Sequence, residues 1–277
     1  MAKASRTDGN SSAPLTIAVL VKYVPDAQFD RQLAGPQHTV DRSESILSEL
    51  DEYPIEAALK LSEERGGESA GNRVIAITVG PESAQAAVKK ALKIGAYEGV
   101  HLSDPALAGS DVTGTSVALA ALIGSLGSVD LVLTGMASTD GETSMVPAQL
   151  AARLGIAQIT FASTLEVDGD TVQARHDGDG YSELLEASLP ALVSVTDQVN
   201  DPRYPNFKAM MAAKKRKVTV VSLADLGIDP NSVGSQGALT TITEASTRPP
   251  RSAGNIITDN GDAGIKLVDF LVEQKLL

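Results

Sequence analysis

Apolar positions fall in two recurring textures along the chain. From Thr16 to Lys22, from Val74 to Val79 and from Asp130 to Thr134 the β-branched and aliphatic residues run on without alternation, and Gly99 to Leu102 is a shorter version. Continuous runs of this kind mark strands covered on both faces, as in a parallel sheet. Between them lie segments with helical period. Asp51 to Arg65 gathers Ile55, Ala58, Leu59 and Leu61 largely on one side, with Pro54 tolerated in the first turn. Ser83 to Ile94 spaces Ala84, Ala87, Val88, Ala91 and Leu92 along one face, with Ser83 placed to cap the start and Gly95 to close the end. Asp111 to Leu126 and Glu142 to Leu154 read as two further helices.

This alternation of strand and helix predicts an α/β fold: a mostly parallel, doubly wound sheet with helices on both faces, in the style of a nucleotide-binding core. After Gly155 the pattern changes. Thr164 to Val167 and Asp170 to Ala174 flank Asp168-Gly169 and read as a hairpin around a type I′ turn. Ser182 to Leu189 and Ala191 to Thr196 read as further strands, so an antiparallel extension of the same sheet is expected. Arg248 to Gly254 is turn-rich, and Asp262 to Gln274 is amphipathic with Leu267, Phe270 and Leu271 on one face. The predicted organisation is a disordered tail over 1–14, an α/β domain over 15–247, and a C-terminal arm with a helix over 248–277 that docks on a partner subunit.

Composition narrows the function classes. The 277 residues are 43% hydrophobic and 21% charged, the mixture of a globular protein. Five Tyr, four Phe and no Trp argue against platforms for stacking single-stranded nucleic acid. A net charge of −12 repels polyphosphate backbones and anionic membranes, so neither nucleic acid nor membrane insertion is expected. The absence of Cys excludes disulfides, thiolate metal sites and thiol nucleophiles. With no leader-like apolar segment at the polar, Ser-rich start, the expected location is the cytoplasm. His38, His101 and His176 match no metal or triad spacing, so neither a metal enzyme nor a triad enzyme is expected, and redox chemistry would need a borrowed cofactor.

Ligands of open parallel sheets lie beyond the carboxyl ends of the strands. Four segments follow strands there. Lys22 to Asp26 sets a cation and a carboxylate around a proline-fixed turn, and Val79-Gly80-Pro81 permits close backbone approach. Gly135 to Ser144 is small, polar and glycine-bearing and opens a helix, which suits a phosphate held at a helix N-terminus. It lacks the Walker lysine and the dinucleotide glycine spacing, and a solvated helix cap at Asp140 or Thr143 is the simpler reading of these residues alone. The fourth, Asn200 to Phe207 followed by Lys208 to Lys217, moves from a proline-fixed loop into a basic helix end. Its cluster Lys214-Lys215-Arg216-Lys217 reads either as a helix C-terminus matched to its dipole or as a docking site, and an exposed Phe207 favours docking.

Four ordered blocks resemble the beta subunit of electron transfer flavoprotein, over about Leu15 to Leu277. They are Val21-Lys22-Tyr23-Val24-Pro25-Asp26, Asp130 to Gly135 with Ser138-Thr139-Asp140-Gly141, Leu189 to Val193, and Asn200-Asp201-Pro202-Arg203-Tyr204 with Ala213-Lys214-Lys215. The resemblance implies the non-catalytic half of a heterodimer whose alpha subunit holds most of the FAD, while this chain buries a structural AMP. It implies electrons taken from acyl-CoA dehydrogenases and related dehydrogenases, as in fatty acid oxidation, and passed to a membrane quinone oxidoreductase. By the same resemblance the cofactor contacts fall on Leu20, on Ser48, Glu49, Leu50 and Asp51, on Val79, and on Gly135, Met136, Ala137, Ser138, Thr139, Asp140, Gly141, Glu142, Thr143, Ser144, Met145 and Val146. Asp140 there caps, or holds magnesium or ribose, rather than touching phosphate. Partner docking falls on Tyr204, Phe207, Lys214 and Lys215, with Phe207 at the position of the family's leucine anchor. The chain departs from the family pattern at Leu50, where an aromatic is expected near the flavin, at Ser144 to Pro147, and in the spacing around Arg175 to Gly180. Two alternatives stand beside this reading: a subunit holding a second flavin in the same cleft and bifurcating electrons, and a stand-alone adenine-nucleotide-binding protein.

Overall fold

In the computed structural model, which describes residues 13–29, 32–34, 38–246, 249, 254 and 256–277, the chain divides into two compact units, Met1–Ile242 and Thr243–Leu277. Most of the expected tail and of the turn-rich link at 248–254 lies outside the described residues. The first apolar run forms β1 (Thr16–Leu20), followed by the short strands β2 (Tyr23–Pro25), β3 (Leu33–Ala34), β4 (Thr39–Val40) and β5 (Ser45–Leu47). A 3₁₀ turn at Glu49–Asp51 leads into α1 (Glu52–Glu64). Then come β6 (Arg73–Val79), α2 (Gln85–Ile94), β7 (Glu98–Leu102), α3 (Val112–Ser125), β8 (Leu131–Gly135) and α4 (Val146–Leu154). The antiparallel part follows as β9 (Ala157–Asp168), β10 (Thr171–Gly178) and β11 (Tyr181–Ser188), and the chain returns to the sheet through β12 (Ala191–Val195), α5 (Phe207–Ala213) and β13 (Val218–Val221). A single helical turn, α6 (Gly234–Gly237), ends the described elements of the first unit; the second contains α7 (Ala263–Glu273).

The central sheet has the order β11-β10-β9-β12-β8-β1-β6-β7-β13. Its neighbours from β9 to β13 pair in parallel, and β10 and β11 extend it antiparallel. Alternate residues of each parallel strand enter opposite cores. Ile17, Val19, Val74, Ala76, Leu131 and Leu133 pack with Ile55 and Leu59 of α1 and Val88 of α2. Ala18, Ile75, Ile77, Val132 and Leu192 pack with Leu119 and Leu122 of α3 and Leu150 of α4. Both faces are thus covered, which is why these strands lack a polar face. The chain leaves β1 for β6 and β7 on one side, then returns to the other side of β1 with β8. That reversal leaves a crevice at the carboxyl ends of β1, β6 and β8.

The structure departs from the sequence expectations at element ends. Ser83 lies inside a 3₁₀ turn at Glu82–Ala84, so α2 begins at Gln85 without a side-chain cap. The helix expected from Glu142 begins only at Val146, because Glu142 and Ser144 have φ of 51° and 53° and the left-handed backbone cannot join a right-handed helix. In the hairpin Asp168 pairs with Thr171, so the loop is Gly169-Asp170; only Gly169 has positive φ, whereas a type I′ turn requires it at both positions. Helix α5 ends at Ala213, and the basic run links it to β13, a short Val-Thr-Val-Val strand that is not among the elements expected from the sequence although its β-branched residues suit one.

One strand glycine marks how tightly helix and sheet meet. A Cβ at Gly99 of β7 would lie 2.4 Å from Val88 Cγ1 of α2. Gly99→Ala is therefore expected to cost about 1–3 kcal/mol in urea unfolding through overpacking. Adding Val88→Ala should make the pair less damaging than the sum of the single changes; strict additivity would show that the two sites do not touch.

Candidate functional site

The crevice left by the reversal is bounded by strand ends and by two helices. Leu20 and Val21 close β1, Val79 closes β6, and Thr134 with Gly135 closes β8. Thr115 and Leu119, one turn apart, come from α3, while Val146 and Pro147 come from the start of α4. Polar lining is supplied by Lys22, Asp51, Ser138 of the loop, Thr143 and Ser144, with Ala137 beside them. Part of the cleft is therefore aliphatic and part is built from hydroxyls, an ammonium and the first turn of a helix. Helix α4 has Met145 at its N-cap, which offers no side-chain acceptor, so no cap takes up the N–H groups of its first turn, which Val146 and Ala148 supply and Pro147 lacks.

The walls are held together by a contact without spare room. A Cβ at Gly135 would lie 2.7 Å from the Leu50 carbonyl oxygen and 3.1 Å from Asp51 Oδ1. Only glycine lets β8 approach the 3₁₀ turn that precedes α1. Asp51 in turn accepts a hydrogen bond from the Lys22 backbone N–H at 2.7 Å, and Ser48 N–H donates to the Lys22 carbonyl at 2.9 Å. These two bonds turn the chain out of the sheet at Lys22, directly after the Val21 N–H makes its bond to the Ile77 carbonyl of β6.

Charge in the cleft is arranged in two ways. Asp51 is buried, and burial pushes its carboxyl up to about 8 against the opposing Lys22 N–H and ammonium, so it is mainly protonated at neutral pH. Asp140 is also buried, but there the Lys22 ammonium and the Arg42 guanidinium outweigh burial and hold the carboxyl well below the usual carboxylate range. Its Oδ1 lies 2.8 Å from Lys22 Nζ and its Oδ2 2.6 Å from Arg42 Nη2. Lys22 Nζ also donates to Ser138 Oγ at 3.3 Å, and Arg42 Nη1 to the Tyr23 carbonyl at 2.9 Å.

Of the cofactor residues drawn from the sequence, Leu20, Asp51, Val79, Gly135, Ala137, Ser138, Thr143, Ser144 and Val146 line this one cleft. Ser48, Leu50, Met136, Thr139, Asp140, Gly141, Glu142 and Met145 do not line it. Ser48 is wholly buried beside Asp51, with an Oγ that has no hydrogen-bond partner among the described residues. Glu49 instead borders a separate depression with Tyr53 and Tyr204. Asp140 is no N-cap, since the helix starts after Met145 and its carboxylate is taken up by Lys22, Arg42 and the Gly141 N–H. Val21, Thr115, Leu119, Thr134 and Pro147 are lining residues absent from the cofactor contacts expected from the sequence, as is Lys22, which the sequence does offer as part of the Lys22-to-Asp26 candidate segment. Lys22 had a signal, its position at a strand exit, whereas Thr115 and Leu119 reach the cleft only through the packing of α3.

The Asn200-to-Tyr204 loop is anchored rather than free. Arg203 forks onto two carboxylates of α1, with Nε 2.6 Å from buried Glu56 and Nη1 2.6 Å from Glu63, and Asn200 Nδ2 donates to the Tyr53 carbonyl at 3.0 Å. Bidentate arginine pairs fix orientation as well as position. The ledge presents Tyr204 at 93% and Phe207 at 76% exposure, and Lys214 and Lys215 are exposed beyond them. Arg216 leaves the open basic patch: it pairs with Glu68, donates to the Tyr97 carbonyl and lies over the Tyr97 ring.

The raised carboxyl of Asp51 carries a pH signature. Its unfolded counterpart titrates near about 4, so between about pH 4 and 8 the folded chain holds a proton that the unfolded chain has lost, and stability falls as pH rises through that window. The Asp140 contribution has the opposite sign and is fully present above about pH 4, so it adds no slope there. Urea unfolding from pH 5 to pH 8 should show Asp51→Asn gaining on the parent chain as pH rises. Parallel stability curves would mean that Asp51 ionises like an exposed carboxylate.

Comparison with known proteins converges with this geometry. The electron transfer flavoprotein domain model matches residues 38–226. The electron transfer flavoprotein subunit beta of Mycobacterium leprae (strain TN) is 40% identical over 263 residues, which cover 94% of this chain and 99% of that one. The subunit of the same name from Mycobacterium tuberculosis (strain ATCC 25618 / H37Rv) is 39% identical with the same coverage. The caffeyl-CoA reductase-Etf complex subunit CarD of Acetobacterium woodii is 33% identical over 269 residues, 95% of this chain and 100% of that one. A sheet reversal with a polar-ended cleft, a family model across most of the first unit and near full-length similarity to named beta subunits place the chain in the electron transfer flavoprotein family, as a beta subunit.

Proposed function

We propose that this chain is the non-catalytic half of an electron-carrying heterodimer and that its cleft buries AMP as a structural ligand. Family membership implies an alpha-subunit partner and flavin in the heterodimer. The reading of AMP rests on one observation above all: an aliphatic wall at Leu20, Val79 and Leu119 adjoins hydroxyls, the Lys22 ammonium and the uncapped start of α4. Such a cleft offers apolar surface to a base and N–H and ammonium donors to a phosphate. Met136, Thr139, Gly141, Glu142 and Met145 shape the same loop from outside the cleft.

When bound in the heterodimer, mainly by the alpha subunit, FAD supplies the one- and two-electron chemistry. The contribution of this chain is to bind, orient and present. Acyl-CoA dehydrogenases and related dehydrogenases are the proposed donors, docking on Tyr204 and Phe207, with Lys214 and Lys215 drawing in acidic surfaces. A membrane quinone oxidoreductase is the proposed acceptor and the cytoplasm the proposed location; among the described residues no helix is long and apolar enough to cross a membrane. The second unit, with exposed Ile265, Leu267, Val268 and Val272 on α7, is proposed as the arm that docks on the alpha subunit.

A second reading is favoured by the similarity to CarD, named as part of a caffeyl-CoA reductase-Etf complex: a flavin in this cleft in place of AMP, with bifurcation of electrons. Nucleotides released by denaturing the co-produced heterodimer separate the two. One FAD and one AMP are expected; two FAD and no AMP would establish the second reading, and turnover of ATP by the chain alone would support a stand-alone nucleotide protein. Phe207→Ala is expected to slow electron acceptance from a dehydrogenase about tenfold or more with flavin content unchanged. Equal loss of flavin would show that Phe207 stabilises the heterodimer instead.

A further inference from the structure

We propose that the Arg42–Asp140–Lys22 cluster is a size gate that limits the cleft to a mononucleotide and excludes ligands continuing beyond the first phosphate. The inference rests on the adenylate reading of the cleft and concerns residues that mostly do not line it. Lys22 and Ser138 belong to the polar part of the lining, and Lys22 Nζ holds both Ser138 Oγ and Asp140 Oδ1. Asp140 therefore stands directly behind two lining groups. Arg42 stands behind Asp140, with Nη2 on Oδ2 and Nη1 on the Tyr23 carbonyl, so the stretch before β5 is tied across to the loop after β8.

The arrangement has a charge logic. Asp140 uses one oxygen for each cation, leaving the three-residue cluster with a net charge of about +1 in a chain of net −12. Asp51, protonated at neutral pH, does not cancel that charge. A terminal phosphate can meet Lys22, the hydroxyls and the α4 N-terminus with the cluster intact. On this proposal a pyrophosphate bearing a second ribose runs on from the polar end of the cleft at Ser138 and Lys22, and making room for it there parts the ion pairs behind them. The Asp140 side chain is only 3% exposed, and parting the pairs leaves a buried carboxylate without its cations, a costly state. Arg42 is the separable part of the gate, since it is absent from the lining and can be changed without removing a cleft contact.

The test measures discrimination rather than affinity. Calorimetric titration of the full chain with AMP and with ADP-ribose is compared among the parent chain, Arg42→Met and Asp140→Ala, each checked for an intact fold by its thermal unfolding. The parent should bind AMP more tightly than ADP-ribose by at least about tenfold, and Arg42→Met should narrow that ratio about tenfold, mainly through tighter ADP-ribose binding. Asp140→Ala, which frees both cations, should narrow it as well. A merely structural role would weaken both ligands together and leave the ratio alone. An unchanged ratio in Arg42→Met with AMP still bound overturns the gate while the adenylate reading stands. Equal binding of both ligands by the parent chain overturns the gate directly, and binding of neither overturns the adenylate reading and the gate with it. If Asp140→Ala fails to fold, Arg42→Met alone decides.

Discussion

The cleft exists because Gly135 carries no side chain. The last residue of β8 and the 3₁₀ turn at Glu49–Asp51 meet where a methyl group would overlap the Leu50 carbonyl. From that contact the rest follows. Asp51 is fixed where it can accept the Lys22 N–H, β1 is drawn out of the sheet after Leu20, and the Lys22 ammonium is brought to the loop after β8. Three segments far apart in sequence become walls of one cavity through a single requirement of close approach.

Burial then sorts the two acidic side chains by partner. Asp51 has a neutral N–H and the pull of one ammonium that also serves Asp140, and burial wins, so the group keeps its proton. Asp140 has two full cations at hydrogen-bond distance, and burial loses. The same residue type is thus neutral in one position, where burial is complete, and anionic in the other, where burial is partial and two cations adjoin. The anion serves the architecture by joining two loops, while the neutral acid leaves the positive character of the polar wall undiminished.

The parallel core was legible in the sequence because its cause is local: a strand buried on both faces cannot afford polar alternation, and Thr16 to Leu20, Val74 to Val79 and Leu131 to Thr134 show none. Element ends were less legible. The start of α4 is displaced by left-handed residues Glu142 and Ser144, which are not the usual bearers of positive φ, and in the hairpin Asp170 lacks the positive φ that the Asp-Gly pair led one to expect of a type I′ turn. Within the site, glycine and hydroxyl residues after β8 announced themselves by composition. Thr115 and Leu119 did not, because their presence depends on which turn of α3 meets the sheet edge. Arg42 was equally silent: its partner lies 98 positions away, and no local pattern encodes such a pairing.

Helix α1 carries both surfaces of this subunit. Asp51 and the glycine contact sit at its leading end, while Glu56 and Glu63 hold the Arg203 fork along its length. At 13 residues it is a strut of roughly 20 Å. The ledge bearing Tyr204 and the floor beside the cleft are therefore mounted on one stiff member, and neither can be re-aimed separately unless that member bends.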